Sequence, residues 1–299
     1  MWTRADGNYR GKCFILRRFQ DMLVDGGETL GFYKEYYRYS RDKASEFKIT
    51  YLKSVIKNNK IYKFIAFDND ETSNLRKLNC LREDMLWFSH YIYLNDKTEF
   101  EIKYDSKKVS EETGVRKEDV DLLVDIMKEI YDVCSFSYTQ ETYMWETYAN
   151  HARGICIVFN VENYDMLYPV EYCDKNKIDY TSILIKDYLK TPQERWKNGS
   201  PMAELPFVTK NPMNGTLKSY EEKEVRILME PYGDGKCNSG YVRPHIKEEI
   251  GYKGSNISYA KCGLSVSSII IGKNCRQDIS SEIIADCKRK GYVIESRKE

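Results

Sequence analysis

The chain has 299 residues, and 47 basic side chains nearly balance 46 acidic ones, which gives a formal net charge of +1. This balance argues against a partner bound by bulk electrostatics, such as duplex DNA or an anionic membrane. The nine cysteines lack zinc-finger spacing, no apolar run approaches the roughly 20 residues of a membrane span, and the N-terminus lacks a signal-peptide core, so we expect a cytoplasmic protein with no membrane partner.

Hydrophobic periodicity predicts a mixture of helices and strands along the chain. Residues 1–31 are expected to form an N-terminal extension, and residues 32–299 a single α+β domain. In the first half of the chain we predict a strand at Phe32–Tyr39, helices at Lys48–Asn58 and Ser73–Glu83, a strand at Met85–Ser89 and a helix at Val120–Tyr131. Next come a strand at Val133–Tyr138, a helix at Glu141–Ala152 that Gly154 caps, and a strand at Ile155–Asn160. The last predicted elements are strands at Tyr220–Met229 and Val266–Ile271, a helix at Asp278–Lys290 and a strand at Tyr292–Glu295. The Pro-, Gly- and Asn-rich residues 191–219 are expected to form a long loop.

Several common catalytic motifs are absent from the sequence. The three histidines, at positions 90, 151 and 245, have no second metal ligand at helical spacing. The chain also contains no P-loop, no Gly-x-Gly-x-x-Gly and no Gly-x-Ser-x-Gly elbow. Metal-dependent hydrolysis, P-loop nucleotide hydrolysis and serine-hydrolase chemistry are therefore disfavoured, and we expect no metal cofactor.

Two serines alternate with apolar residues in the predicted strand Val133–Tyr138. Because side chains alternate between the two faces of a strand, Ser135 and Ser137 share one face, and Cys134 and Phe136 share the other. Two hydroxyls on one face could hydrogen-bond a ligand. The same alternation is also typical of an edge strand whose polar face meets solvent, and the pattern alone favours that interpretation.

A second polar face lies in the predicted strand Tyr220–Met229. Glu222, Glu224 and Arg226 share this face, which is typical of a solvated sheet edge. Alternatively, the two carboxylates form a pair in a cleft, where one grips a sugar hydroxyl or stabilises developing positive charge and the other orients an acceptor. Arg226 would then lower the pKa values of the neighbouring carboxyl groups.

The predicted helix Glu141–Ala152 carries two further candidates, Trp145 and Tyr148. Residues spaced three or four apart share a helix face, and core packing explains most of the aromatic residues here. Trp145 and Tyr148 could nevertheless form the floor of a pocket.

Sequence blocks of this chain resemble, in the same order, those of a widespread bacterial family of unknown function. The blocks are Leu86–Ser89, Asn95–Glu99, Ser135–Ser137, Met144–Ala149, Gly154–Phe159, Glu222–Arg226 and Ile269–Gly272. The resemblance covers residues 32–295, and its central block is the most specific. Lys97 stands where the family has a proline after Asn-Asp, so this loop departs from the family pattern.

That family in turn resembles the ADP-ribosyltransferase fold, which implies an α+β protein with a split mixed or antiparallel sheet flanked by helices. The superfamily uses an arginine on a first strand, Ser-x-Ser on a second strand and Glu-x-Glu later. This chain offers Arg38, the two serines at 135 and 137, and the two glutamates at 222 and 224 in that order. Lys34 is the rival of Arg38 for the first position.

The resemblance implies an NAD-consuming ADP-ribosyltransferase or NAD glycohydrolase that needs no metal. Glu224 is then expected to hydrogen-bond the nicotinamide ribose and to stabilise positive charge, and Glu222 is expected to orient the acceptor. The residues expected to bind NAD are Arg38, Trp87, Asn95, Asp96, Ser135, Ser137, Trp145, Tyr148 and Arg226.

The implied setting is a bacterial effector or toxin acting in phage defence, with protein, nucleic acid or water as the acceptor. Two alternative functions stay open. The first is a non-catalytic nucleotide sensor or protein-interaction module on the same fold, which the 25 tyrosines and the neutral charge would suit. The second is a nucleic-acid-binding or nucleic-acid-processing protein, which the Lys, Arg and Tyr residues of Arg38–Lys53 favour slightly.

Overall fold

Helices and strands alternate along the chain in the computed structural model, which describes residues 31–94, 96, 99–191, 194, 201–215, 217–230 and 253–297. The α-helices are α1 (Phe32–Tyr36), α2 (Arg41–Val55), α3 (Glu71–Arg82), α4 (Ser106–Thr113), α5 (Lys117–Lys128), α6 (Thr142–Tyr148), α7 (Tyr180–Leu189), α8 (Pro201–Val208) and α9 (Gln277–Lys290). The strands are β1 (Lys60–Ile65), β2 (Met85–Ser89), β3 (Asp132–Ser137), β4 (Ile155–Val161), β5 (Leu167–Pro169), β6 (Glu171–Tyr172), β7 (Thr209–Lys210), β8 (Met213–Asn214), β9 (Leu217–Lys218), β10 (Glu224–Met229), β11 (Gly254–Ser258), β12 (Leu264–Ile271) and β13 (Val293–Ser296). Of the predicted N-terminal extension, residues 1–30 lie outside this description. None of the helices described is long and apolar enough to cross a membrane.

A mixed sheet forms the centre of the molecule. Within the described residues it has nine strands, in the order β11-β2-β3-β1-β4-β12-β13, with β10 beside β3 and β5 beside β10. Its neighbouring strands are antiparallel, apart from the parallel pair β12 and β13. The expectation of an α+β protein with a mixed sheet flanked by helices is confirmed.

The sheet divides at β3. Strand β10 pairs along one edge of β3, from Asp132 to Ser137. On the other edge, Val133 pairs with Ser89 of β2, whereas Ser137 pairs with Tyr62 of β1. Strands β1 and β2 therefore share this edge of β3 end to end, and the sheet splits between them.

One face of the sheet is apolar and is covered by α3 and α9. Cys134 and Phe136 of β3 point to this face, together with Val225 and Ile227 of β10. They belong to a core cluster that also contains buried residues of both helices (Leu78, Leu81, Ile279 and Ile283). The alternation predicted for β3 is therefore confirmed.

The opposite face, called the site face below, is polar at its centre. It carries Ser135 and Ser137 of β3, which are the register partners of Arg226 and Glu224 of β10. On one side of these residues lies an apolar cluster built with α5, α7 and α8. On the other side lies a second apolar cluster, which covers β1 and β4 and contains Trp145 of α6.

The strand predicted over Phe32–Tyr39 is wrong, because helix α1 forms there. The Glu171 carboxylate accepts hydrogen bonds from the backbone N–H groups of Phe32 (3.0 Å) and Tyr33 (3.1 Å). These bonds satisfy free donors at the start of a helix that is too short to be stable by itself. Arg38 consequently lies in the turn after α1 and not on a first strand.

The sequence predicted that Gly154 caps a helix, and this prediction is wrong. Helix α6 already ends at Tyr148, and residues 150–152 adopt positive φ values. A glycine is needed at 154 because a Cβ there would overlap with the carbonyl oxygen of Ile65 in β1. The Gly154 carbonyl also accepts a hydrogen bond from the N–H of Gly272 at 2.9 Å, so the glycines of two sequence blocks meet in space.

The long loop predicted over residues 191–219 is wrong in its centre, where helix α8 forms. Pro201 begins this helix, at a position where the missing N–H would have no helical partner. Leu205 and Phe207 then pack into the core. Helix α8 leads directly into β7, which places Lys210 against the site face.

Candidate functional site

Buried charged side chains gather on the site face. We call five of them the ion cluster: Glu99, Lys210, Glu222, Glu224 and Arg226. Their exposure lies between 1% and 7%. Charged groups this far from water are retained only when opposite charges and hydrogen bonds compensate them.

Arg226 holds two of the carboxylates. Its Nε lies 2.7 Å from Glu224 Oε1 and its Nη2 lies 3.2 Å from Glu224 Oε2, so the planar guanidinium binds this carboxylate with two donors. Nη2 also lies 2.8 Å from Glu99 Oε2. Nη1 donates to the carbonyl of Phe207 at 2.7 Å, which ties the cluster to helix α8.

Lys210 bridges all three carboxylates of the cluster. Its ammonium lies 2.7 Å from Glu222 Oε2, 3.0 Å from Glu99 Oε1 and 3.6 Å from Glu224 Oε2. An ammonium has three donors, so one side chain can serve three acceptors at once.

Glu222 reaches the cluster from a turn. Residues Ser219–Glu222 form a 3₁₀ turn, and Lys223 adopts a left-handed conformation (φ 45°, ψ 57°). Strand β10 begins only at Glu224, so the strand predicted from Tyr220 is too long at its start. The turn brings Glu222 to Lys210, although it does not extend the ladder with β3.

Two neighbours fix the position of Glu222. The Ser137 hydroxyl donates to its backbone carbonyl at 2.7 Å, and the Tyr148 hydroxyl donates to Oε1 at 2.6 Å. Burial, followed by the charge of Glu222, raises the pKa of Tyr148, which keeps this hydroxyl a donor. The Ser135 side chain lies on the same face as Glu224 and contributes to lowering the pKa of its carboxyl group.

The two glutamates have different proton affinities. Burial, and then the charge of Glu224, raise the pKa of Glu222 to about 7, although Lys210 and Tyr148 act in the opposite direction. Burial would also raise the pKa of Glu224, but Arg226 and Lys210 outweigh it and hold that pKa well below its usual range. Neighbouring carboxyl groups whose pKa values are pushed apart are typical of acid–base sites.

Lys175 approaches the cluster through Glu99. Its ammonium donates to the backbone carbonyl of Glu99. Burial lowers the pKa of Lys175 to about 8, against the raising effects of Glu99 and Asp96. Asp96 is half-buried, and its charge acts on the site by raising the pKa of Lys175.

The structure brings together six of the residues singled out from the sequence. They are Ser135, Ser137, Tyr148, Glu222, Glu224 and Arg226. The interpretation that these side chains face solvent at a sheet edge is wrong for Ser137, and equally for the charged residues Glu222, Glu224 and Arg226. All four are buried. Partners from distant parts of the chain compensate these charges, which the local pattern could not indicate.

Other predicted residues lie elsewhere. Arg38 has a side chain that is 57% exposed and pairs with Glu35 in the preceding helix. Trp87 of β2 is 44% exposed. Trp145 is buried in the apolar cluster over β1 and β4, edge-to-face against Phe64, and these contacts do not support the expected role in binding NAD at the ion cluster.

The remaining predicted residue, Asn95, lies outside the described residues. Two cluster members, Lys210 and Glu99, were not predicted as site residues. Glu99 belongs to a sequence block that carried the family resemblance, and this was its only signal. Lys210 had none, because it lies in a segment that was expected to be loop.

The chemistry available to the cluster follows from its side chains. It offers carboxylates, cations and a tyrosine hydroxyl, which can stabilise positive charge and exchange protons. No group of three or more His, Cys, Asp or Glu side chains in the described part of the chain is arranged to hold a metal ion.

The sequence and the fold were compared with known proteins. No protein-family model, no curated protein and no solved structure matches the chain.

Proposed function

We propose that the chain is an NAD-consuming enzyme of the ADP-ribosyltransferase type and that Glu222 is its catalytic carboxylate. One observation carries this proposal. The two serines of β3, the two glutamates and Tyr148 converge on one face of a split sheet, although they come from three separate segments. Had the serines and Glu224 lain on opposite faces, this function would have lost its support.

The reaction needs a carboxylate near a sugar carbon. When the bond between ribose C1′ and the nicotinamide nitrogen breaks, nicotinamide leaves with the bonding electrons and positive charge develops on the ribose. An ionised carboxylate beside the ribose stabilises that charge. Water or another nucleophile then bonds to C1′ and releases its proton to a base, for which a carboxyl group with a pKa near 7 is suited.

The contacts favour Glu222 over Glu224 for this role. Both oxygens of Glu224 are bound by Arg226, so both are already engaged by a cation. Glu222 instead shares Lys210 with two other carboxylates, and its second oxygen accepts a hydrogen bond from the neutral Tyr148 hydroxyl. In this proposal Glu224 holds Arg226 in place, and Tyr148 turns away from Glu222 to admit the nicotinamide riboside.

Nicotinamide release from NAD tests the proposal. Purified wild-type protein should release nicotinamide, and Glu222→Gln should reduce the rate by about 100-fold or more, because losing an electrostatic or acid–base group typically has that effect. Glu221→Gln is the matched control, since that side chain is 35% exposed and pairs with Lys218. Absence of release by folded wild-type protein, or equal rates for both variants, would exclude this role.

A second candidate is a nucleotide-binding module that does not turn its ligand over. The observation that favours it is the complete pairing of the cluster, because every carboxylate oxygen of Glu99, Glu222 and Glu224 has a polar partner. Calorimetry with NAD distinguishes the two functions. Saturable binding without nicotinamide release over hours indicates the binding module.

The wider setting belongs to the same proposal. A bacterial effector or toxin acting in phage defence, with protein, nucleic acid or water as the acceptor, stays a prediction from the family resemblance. The nucleic-acid-binding alternative also stays a prediction. Lys48, one of the basic residues that suggested it, is buried and donates to the Asp165 carbonyl at 2.6 Å, so it is not placed to meet phosphates.

A further inference from the structure

The side chains of the ion cluster contain more acidic groups than basic ones. Three carboxylates, from Glu99, Glu222 and Glu224, contact two cations, Lys210 and Arg226. Lys175 does not supply a third cation to these carboxylates, because its ammonium donates to the backbone carbonyl of Glu99. Excess negative charge in a buried site favours the uptake of a proton by one of the carboxylates.

The contacts indicate which carboxylate takes that proton. Glu224 receives two donors from Arg226, and its Oε2 also lies 3.6 Å from Lys210. Among the residues that the structure describes, one cation lies within 4 Å of Glu222, namely Lys210 at 2.7 Å, and this ammonium is shared. Among the described residues, the charged and titratable groups that influence Glu222 or respond to it include Lys210, Glu224, Tyr148, Tyr143 and Tyr172.

We propose that Lys210 is the positioning residue of the site, and that its shared ammonium determines how readily Glu222 exchanges a proton. Lys210 holds the three carboxylates together, and within the described part of the chain it is the cation nearest to Glu222. Its removal would leave Glu222 with the Tyr148 hydroxyl and the negative charge of Glu224. The consequence for catalysis rests on the function proposed above, whereas the effect on the proton does not.

A titration followed by carboxyl ¹³C NMR tests the proposal without an activity assay. The Glu222 resonance is assigned by its loss in Glu222→Gln and followed from about pH 4 to about pH 9. In Lys210→Met the midpoint should rise by at least about one pH unit, because the ionised form has lost its nearest cation. Lys210→Arg keeps the charge and should restore most of the shift. A smaller or downward change in Lys210→Met would overturn the proposal.

Two further readouts separate this inference from the proposed function. In the wild type, where folding is not in question, Glu222 should titrate at a higher pH than Glu224, and the reverse order would overturn the proposal. If nicotinamide is released, the acid limb of its pH profile should move to higher pH in Lys210→Met. A wild type that releases no nicotinamide removes the proposed function, and the NMR titration then decides the role of Lys210 alone.

Discussion

Ser137 and Glu222 are joined by a hydrogen bond that crosses from the central strand to the turn before β10. The Ser137 hydroxyl donates to the Glu222 carbonyl at 2.7 Å and accepts from the N–H of Thr139 at 3.0 Å. One buried oxygen therefore fixes both the end of β3 and the backbone that carries Glu222. This gives Ser137 a positioning role, whereas the family resemblance implied direct contact with NAD.

Replacing Ser137 with alanine should destabilise the protein and slow the proposed reaction. We expect the free energy of unfolding to fall by about 1–3 kcal/mol, because the buried Glu222 carbonyl and the half-buried Thr139 N–H lose their partner. Urea denaturation measures this change. Ser54→Ala is the control, since Ser54 makes an exposed bond to the Tyr51 carbonyl, and an equally large loss there would contradict the assignment.

Removing Arg226 should have a much larger effect. We expect Arg226→Met to reduce the free energy of unfolding by about 3–5 kcal/mol, because Glu224 and Glu99 would keep buried charges without their main counterion. The comparison is Arg116→Met, which breaks an exposed pair with Asp119 at the surface of α5. Equal shifts of the denaturation midpoint in both variants would show that the buried ion pairs of Arg226 stabilise the protein no more than the exposed pair of Arg116 does.

Stability should depend on pH through Glu222. The pKa of Glu222 is raised to about 7 in the folded protein, from an ordinary value of 4.5 that applies to the unfolded chain. As pH rises, the unfolded chain therefore releases this proton before the folded protein does. This group therefore lowers the free energy of unfolding progressively between those pH values, by about 3 kcal/mol at 1.4 kcal/mol per unit. Glu222→Gln removes the titration, so the variant should gain stability relative to wild type from about pH 5 to about pH 8. A constant difference across this range would contradict the raised pKa.

The conformation of Lys223 can be tested by a pair of substitutions. Lys223→Gly and Lys223→Val both remove the surface contact with Glu141, so they differ mainly in backbone preference. A left-handed conformation is readily adopted by glycine and strained for a β-branched residue, so we expect the glycine variant to be more stable by about 1–2 kcal/mol. Greater stability of the valine variant would instead place residue 223 in an extended strand.

Much of the sheet could be predicted from the sequence, because its signals are local. Alternation in β3 correctly separated Ser135 and Ser137 from Cys134 and Phe136. Strand β2 and helices α3 and α5 were also found near their observed positions, since periodic apolar residues mark them. The shared face of Glu224 and Arg226 followed from the same rule.

The ion cluster itself could not be predicted, because its partners are distant in the chain. Arg226 and Glu99 are 127 residues apart, and no local pattern joins them. Without such partners, Glu222, Glu224 and Arg226 have the pattern of a solvated strand edge. Helix α1 was missed for a similar reason, since a distant carboxylate, that of Glu171, caps it.

The position of β3 between β10, β1 and β2 has a consequence for the order of folding. Its partners come from both sides in sequence, and the bond from Ser137 to Glu222 spans 85 residues. Pairings between residues this far apart in sequence form late in folding, because a long loop must close before the pairing can stabilise the chain. We therefore expect the charged side chains to stay hydrated through most of refolding and to lose their water only when the segment carrying Lys210 and Glu222 docks.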